Sequence, residues 1–398
     1  NHGVLPVATA VKRILLVGES ANDLRQQYGC WTALCRNEAA ETLVRAHSEA
    51  KNWTFLPALR ARAEAAGADL EYVPACGPAP TSPTVNESDG IALAVARAKV
   101  ADMVLAVVGD SDHWVGEGRD CARLELPGRQ HALLEALHQV CVSKGTPLVV
   151  VLATSKPLAI PWVKAHASAV VCVWNAGMGG GDALAALLWG DRDFTGRTPI
   201  SWPAHVGQLP VHYDRMPGLH FEGFSGGPQQ AVPLANRDAM NAFGGDIHAW
   251  RQDNTRHIDL PSDWVNGLWP FGFGMSYASI EIENAAMSAE RWALGQAPSL
   301  KVELHNDGTR DGVAVIQVYV RDVVASVTRP DRRLAAWKRV TVGAGERTTT
   351  TITLALELLE VIDADGERVT EPGLFHALVG MSSRLSDLRV LPFSVDPK

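Results

Sequence analysis

The chain has 398 residues, 46% of them apolar and 20% charged, enough material for a large core and for two or three domains. A net charge of −8 argues against a nucleic-acid partner, because neutralising phosphates requires a basic face. No apolar run approaches the length of a membrane span, and the opening stretch NHGVLPVATAVKR lacks the long apolar centre of a secretory signal.

The first strand is RILLVG, Arg13 to Gly18, followed by a loop, ESANDLRQQYGCWT. No GxGxxG follows that strand, which disfavours a flavodoxin-like nucleotide or flavin protein. Residues 52–67 read as a helix, Leu70 to Val73 as a second strand, 81–90 as a polar loop, and the Ala-rich 91–101 as a second helix. Val104 to Val108 is a buried strand that Gly109 ends. The loop beyond it gathers Asp110, Asp112, His113, Glu117, Arg119, Asp120 and Arg123, with Trp114 and Val115 among them. Charged groups at the carboxyl end of a buried strand lie where open α/β sheets place their ligands. A carboxylate there, hemmed by apolar and basic neighbours, is a candidate for acid/base work, and solvated loop charge is the competing reading.

A helix follows over Gln130 to Val142, then an apolar strand PLVVVLA, a helical stretch over 157–166, the strand AVVCVW, the turn NAGMGGG and a helix over 182–189. Strands that are apolar throughout and alternate with helices predict a mostly parallel sheet sandwiched by helices. Residues 219–260 lack periodicity and read as a long insertion, and WPFGFGMSY is an aromatic-glycine linker. Beyond it the pattern alternates, as in Leu300, Val302 and Leu304, or Val313, Val315, Gln317 and Tyr319. Roughly seven such strands predict an immunoglobulin-like β-sandwich. The fold class is thus α/β followed by all-β.

Six cysteines are scattered with no metal spacing, so no metal is expected, and no cofactor is expected either. Cys141 and Cys172 lie in apolar runs and read as small buried hydrophobes. Cys30 with Cys35, or Cys30 with Cys76, are the pairings open to an exported chain. Periplasmic, secreted and cytoplasmic locations all stay open, as does the oligomeric state, a homodimer included.

Several stretches together resemble glycoside hydrolase family 3, the β-glucosidase family, in its carboxyl-terminal half. VVGDSDHWVGEGRDCARLELPGRQ resembles the family's acid/base loop, GExxxR followed by LxLPGxQ. PLVVVLATSKPLAIPWV resembles VVVLxxGRPLxLPW, WGDRDFTGRTPISWP resembles FGDxNPSGKLPxTFP, VGQLPVHY resembles VGQxPxYY, and WPFGFGMSY resembles PFGYGLSY. IQVYVRDVVASVTRPDRRLAAWKRV resembles the family's fibronectin type III-like domain. The resemblance implies an α/β sandwich domain over 1–218 with the acid/base loop, an insertion over 219–267, a linker over 268–283 and the fibronectin type III-like β-sandwich over 284–398.

It also implies a retaining β-glycosidase acting on a β-linked oligosaccharide or glucoside, with the nucleophile on an amino-terminal (β/α)8 barrel as the partner. Glu117 takes the position of the general acid/base. Trp114, His113, Arg119 and Asp120 are the candidate sugar-contacting residues, with loop-holding ion pairs from Arg119 or Arg123 to Asp110, Asp112 or Asp120 as another use of those charges. The pattern departs at Cys121, where the family has Arg, at Lys156, where GRP has become SKP, and at WNAGMGGG, where Met178 stands in a turn that usually carries Glu. These departures keep open a non-catalytic carbohydrate-binding or assembly module derived from the family.

Overall fold

The computed structural model describes residues 3–32, 34, 38–40, 42, 44, 53–78, 87–216 and 267–397. The expected insertion falls outside them except for Gly267, as do Cys35 and most of the expected 81–90 loop. The chain divides into two compact units, residues 1–192 with 205–207, and residues 193–204 with 208–398.

In the first unit the apolar runs become β1 (Arg13–Val17), β2 (Asp69–Val73), β3 (Met103–Gly109), β4 (Leu148–Ala153) and β5 (Ala169–Cys172). Every residue of β3 and β4 is buried, as strands covered on both faces require. The order is β2-β1-β3-β4-β5, and each neighbouring pair is parallel. All carboxyl ends therefore open onto one edge, and the order reverses between β1 and β3, the topological position at which such sheets bind ligands. Helices at Phe55–Ala65, Glu87–Ala98, Gln130–Lys144 and Pro161–His166 connect the strands, and Gly180–Leu188 follows β5. The predicted helical stretch at 157–166 is helical only from Pro161, since proline suits a first helical turn.

The segment after β1 is not plain loop. It holds a 3-10 turn at Glu19–Asn22 and a five-residue helix, Leu24–Tyr28, whose amino end is capped by Asp23 accepting the Gln26 N–H. A single helical turn carries too few residues for a periodic signal. Two buried glutamines fix it across the carboxyl edge: Gln26 Nε2 donates to the Ala153 carbonyl at 2.7 Å and Gln27 Nε2 to the Gly177 carbonyl at 2.6 Å.

The second unit is a β-sandwich. One sheet runs β10 (Arg333–Val342), β9 (Gly312–Asp322), β14 (Gly373–Gly380), β15 (Arg389–Asp396), β7 (Arg291–Ala293). The other runs β11 (Arg347–Thr353), β8 (Ser299–Asn306), β6 (Ile280–Met287), and a small hairpin pairs β12 (Val361–Ile362) with β13 (Arg368–Val369). Alternate residues of β8 (Leu300, Val302, Leu304) meet Ile316, Val318, Phe375 and Phe393 of the facing sheet in one core. Within this unit the aromatic-glycine stretch is anchored by Asp193, whose carboxylate accepts the Tyr277 N–H at 2.7 Å and the Ser276 hydroxyl at 2.5 Å.

Candidate active site

The loop between β3 and the helix Gln130–Lys144 leaves the sheet at Gly109. The side-chain amide of Gln130 closes its two ends, accepting the Gly109 N–H at 2.8 Å and donating to the Gly109 carbonyl at 2.7 Å. Asp110 comes next and is 1% exposed. A buried carboxylate must be hydrogen-bonded, and the loop after β4 supplies the donors. The Ser155 N–H and the Thr154 hydroxyl each donate to it at 3.0 Å, and Lys156 Nζ lies 3.6 Å away. Burial pushes the Asp110 carboxyl up from the ordinary carboxylate range, against the pull of Lys156, the Ser155 N–H and the Thr154 hydroxyl.

The loop then turns outward. Trp114 is half-buried, and its indole N–H donates to the Pro78 carbonyl at 2.5 Å. Glu117 sits at the corner of a tight turn that the Arg119 N–H closes onto the Gly116 carbonyl at 3.2 Å. Gly116 and Gly118 flank it with φ of +114° and +69°. Glu117 is exposed, and no described side chain pairs with it. It therefore stands clear of the core, on the loop that leaves the carboxyl end of β3.

The other sequence candidates distribute differently. His113 is exposed, and its carbonyl accepts from Arg119 Nη1 at 3.2 Å, so these two are brought together through the backbone. Asp120 is exposed and pairs with no described side chain. The expected arginine ion pairs within the loop do not form for the two carboxylates nearest the strand. Asp110 is met by Lys156 from the neighbouring loop, and Asp112 lies 3.9 Å from Arg25. Within the loop, Arg119 is instead engaged by the His113 carbonyl.

Lys156, Thr154 and Gln130 are supporting residues to which the sequence reading gave no site role. Lys156 stood out only as a departure from the family pattern, where GRP has become SKP, Gln130 only as the last residue of the LxLPGxQ resemblance, and Thr154 only as a polar residue after an apolar strand. Cys30, Cys76 and Cys121 are free thiols, as are Cys141, pushed up to about 11 by burial, and Cys172, pushed up to about 12 by the same cause. Among the described residues no three His, Cys, Asp or Glu side chains converge as metal ligands, and no helix is long and apolar enough to cross a membrane.

The chain matches the Glycosyl hydrolase family 3 C-terminal domain over residues 1–277 and the Fibronectin type III-like domain over residues 314–383. It is 33% identical to the Periplasmic beta-glucosidase of Salmonella typhimurium over 73% of its own length and 34% of that protein's. It is equally 33% identical to a Beta-xylosidase of Formosa agariphila, over 77% of this chain and 37% of that one. The chain thus spans about a third of the length of these relatives. Among solved structures, a beta-glucosidase involved in saponin metabolism from intestinal bacteria superposes with a TM-score of 0.79 at 28% identity, covering all of this chain and 52% of that one. The beta-glucosidase of Listeria innocua in complex with glucose superposes with a TM-score of 0.74 at 26% identity, covering 99% of this chain and 47% of that one. The resemblance carried by the loop motifs is therefore one of descent, and the chain belongs to glycoside hydrolase family 3, of which it carries the carboxyl-terminal α/β domain and the fibronectin type III-like domain.

Proposed function

We propose that the chain supplies the general acid/base of a retaining β-glycosidase acting on glucosides or xylosides, and that Glu117 is that residue. The observation that carries the reading is the placement of Glu117: exposed, at a turn corner between two positive-φ glycines, on the loop that leaves the carboxyl end of β3. Retention of configuration needs two carboxyl groups about 5–5.5 Å apart across the glycosidic bond. One attacks the anomeric carbon and forms a covalent glycosyl-enzyme. The other gives a proton to the departing oxygen and then takes one from the water that releases the sugar. In this reading Glu117 performs the proton transfers, and the nucleophile comes from the (β/α)8 barrel expected of the family. Arg119, tied to the His113 carbonyl, stiffens the turn, while His113 and Asp120 face solvent where sugar hydroxyls would come.

The test is aryl β-glucoside and β-xyloside hydrolysis by residues 1–398 alone and joined to a family barrel. The reading predicts turnover only in the joined form, abolished by Glu117→Gln. Full activity of the isolated chain would overturn the shared site. Cys121, standing where the family pattern has Arg, favours the second reading of a carbohydrate-binding module without chemistry. Under that reading Glu117→Gln changes nothing in the joined form.

A further inference from the structure

We infer that Lys156 is the positioning residue of the Glu117 loop, locking the neck of the segment Trp114–Cys121 from the loop after β4; as a statement about catalysis this rests on the reading of Glu117 just given. The ammonium has three protons and no acceptor, and three acceptors face it. The Trp114 carbonyl lies at 2.8 Å, an Asp110 carboxylate oxygen at 3.6 Å and Cys121 Sγ at 3.7 Å. Trp114 precedes Glu117 by three residues and Cys121 follows it by four, so one cation touches both ends of the turn. The Cys121 thiol itself donates to the Trp114 carbonyl at 3.1 Å, which closes the neck directly.

The lock has a rigid foundation. Asp110 is held at the end of β3 by Thr154 and Ser155, the single Thr154 hydroxyl proton being shared between Asp110 at 3.0 Å and the Lys156 carbonyl at 2.7 Å. Lys156 is only 24% exposed in its side chain, so solvent screens these contacts weakly. Beyond the neck the turn's own side-chain tie is Arg119 Nη1 to the His113 carbonyl at 3.2 Å. Its one backbone hydrogen bond is Arg119 to Gly116, and its two glycines are conformationally free. The neck therefore fixes where the turn is mounted, while Gly116 and Gly118 shape the turn itself. The two departures from the family pattern in this region, Cys121 and Lys156, prove to be in contact. A guanidinium at 121 would start beside the same Trp114 carbonyl, so a cation from either side can serve the lock.

The experiment is hydrogen exchange of the 398-residue chain with Lys156→Met, and with Lys156→Met/Asp110→Asn, which leaves no orphaned buried carboxylate. Exchange of the amides over 113–121 is expected to accelerate by roughly tenfold or more, the equilibrium weight of a hydrogen bond to a charged donor, while β3, β4 and the helix Gln130–Lys144 keep their protection. Lys156→Arg, and Cys121→Arg added to Lys156→Met, are expected to restore protection of the loop. In the barrel-joined form Lys156→Met is expected to depress kcat/KM more for alkyl glucosides than for glucosides of acidic phenols, whose first sugar transfer needs no proton donor. Unchanged exchange over 113–121 in both variants, or acceleration spread equally over the sheet, would overturn the lock. Loop acceleration without the leaving-group split would keep the lock and remove Glu117 from the chemistry, so the two claims fail separately.

Discussion

Two glycines set the geometry of Glu117 for different reasons. Gly116 has φ +114°, and a Cβ there would lie 3.2 Å from Cys30 Sγ, so both backbone and space oppose a side chain. Gly118 has φ +69° with nothing within 4 Å, so only its left-handed backbone opposes one. Gly116→Ala is expected to cost about 1–3 kcal/mol and Gly118→Ala about 1 kcal/mol, measured by urea unfolding; equal costs would contradict the assignment. The GEG string was legible in the sequence, and so was the acid/base candidate within it. The contact with Cys30 was not, because it joins residues 86 apart in sequence. Lys156 was visible as a departure from the family pattern but not as a contact; its three partners come from a different loop, which no local pattern encodes.

At the scale of elements, the parallel sheet was read correctly because burial on both faces leaves an unbroken apolar run, seen most plainly in β3 and β4. What the pattern lacked was the short helix Leu24–Tyr28, specified by one capping aspartate and two buried glutamines rather than by periodicity. Gly109 shows how closely the strands approach: a Cβ there would fall 1.7 Å from the Ala153 carbonyl oxygen. Gly109→Ala must force β3 and β4 apart, and is expected to cost more than about 3 kcal/mol or to prevent folding. Gly145, the left-handed cap of the helix Gln130–Lys144 with open space around it, is the control: Gly145→Ala should cost about 1 kcal/mol, both variants being read by thermal melts.

The β1–β3 pairing also carries a titratable clamp. The Arg13 guanidinium donates to Asp102 at 2.8 Å and, with the Lys12 and Arg13 N–H groups, holds its carboxyl at about 2. The unfolded value is about 3.9, so the folded state binds the proton less well. The clamp stabilises fully above that unfolded value and is lost as pH falls through the folded one. Asp102→Asn should therefore lower stability near neutrality and flatten its decline between about pH 4 and pH 2, read by denaturant unfolding as a function of pH. An unchanged acid limb would contradict the clamp.

At the scale of the molecule, the sequence was legible as two textures. Continuous apolar runs became the α/β unit, and alternating runs became the sandwich, whose seven strands of seven or more residues among the described ones agree with the roughly seven expected, although β6 begins inside the expected linker. The family followed from many motifs in order. The roles of individual residues did not follow in the same way, because a site is made of contacts between loops and, in this reading, across to a barrel. The account's central claim is that Glu117 moves the proton at the glycosidic oxygen. Its most direct measurement is the rate of the barrel-joined Glu117→Gln variant on β-glucosides with leaving groups of increasing acidity. The account predicts that turnover of alkyl glucosides is abolished while the first sugar transfer from a dinitrophenyl glucoside persists, since a good leaving group departs without a proton. Equal losses on both substrates, or no loss on either, would contradict it.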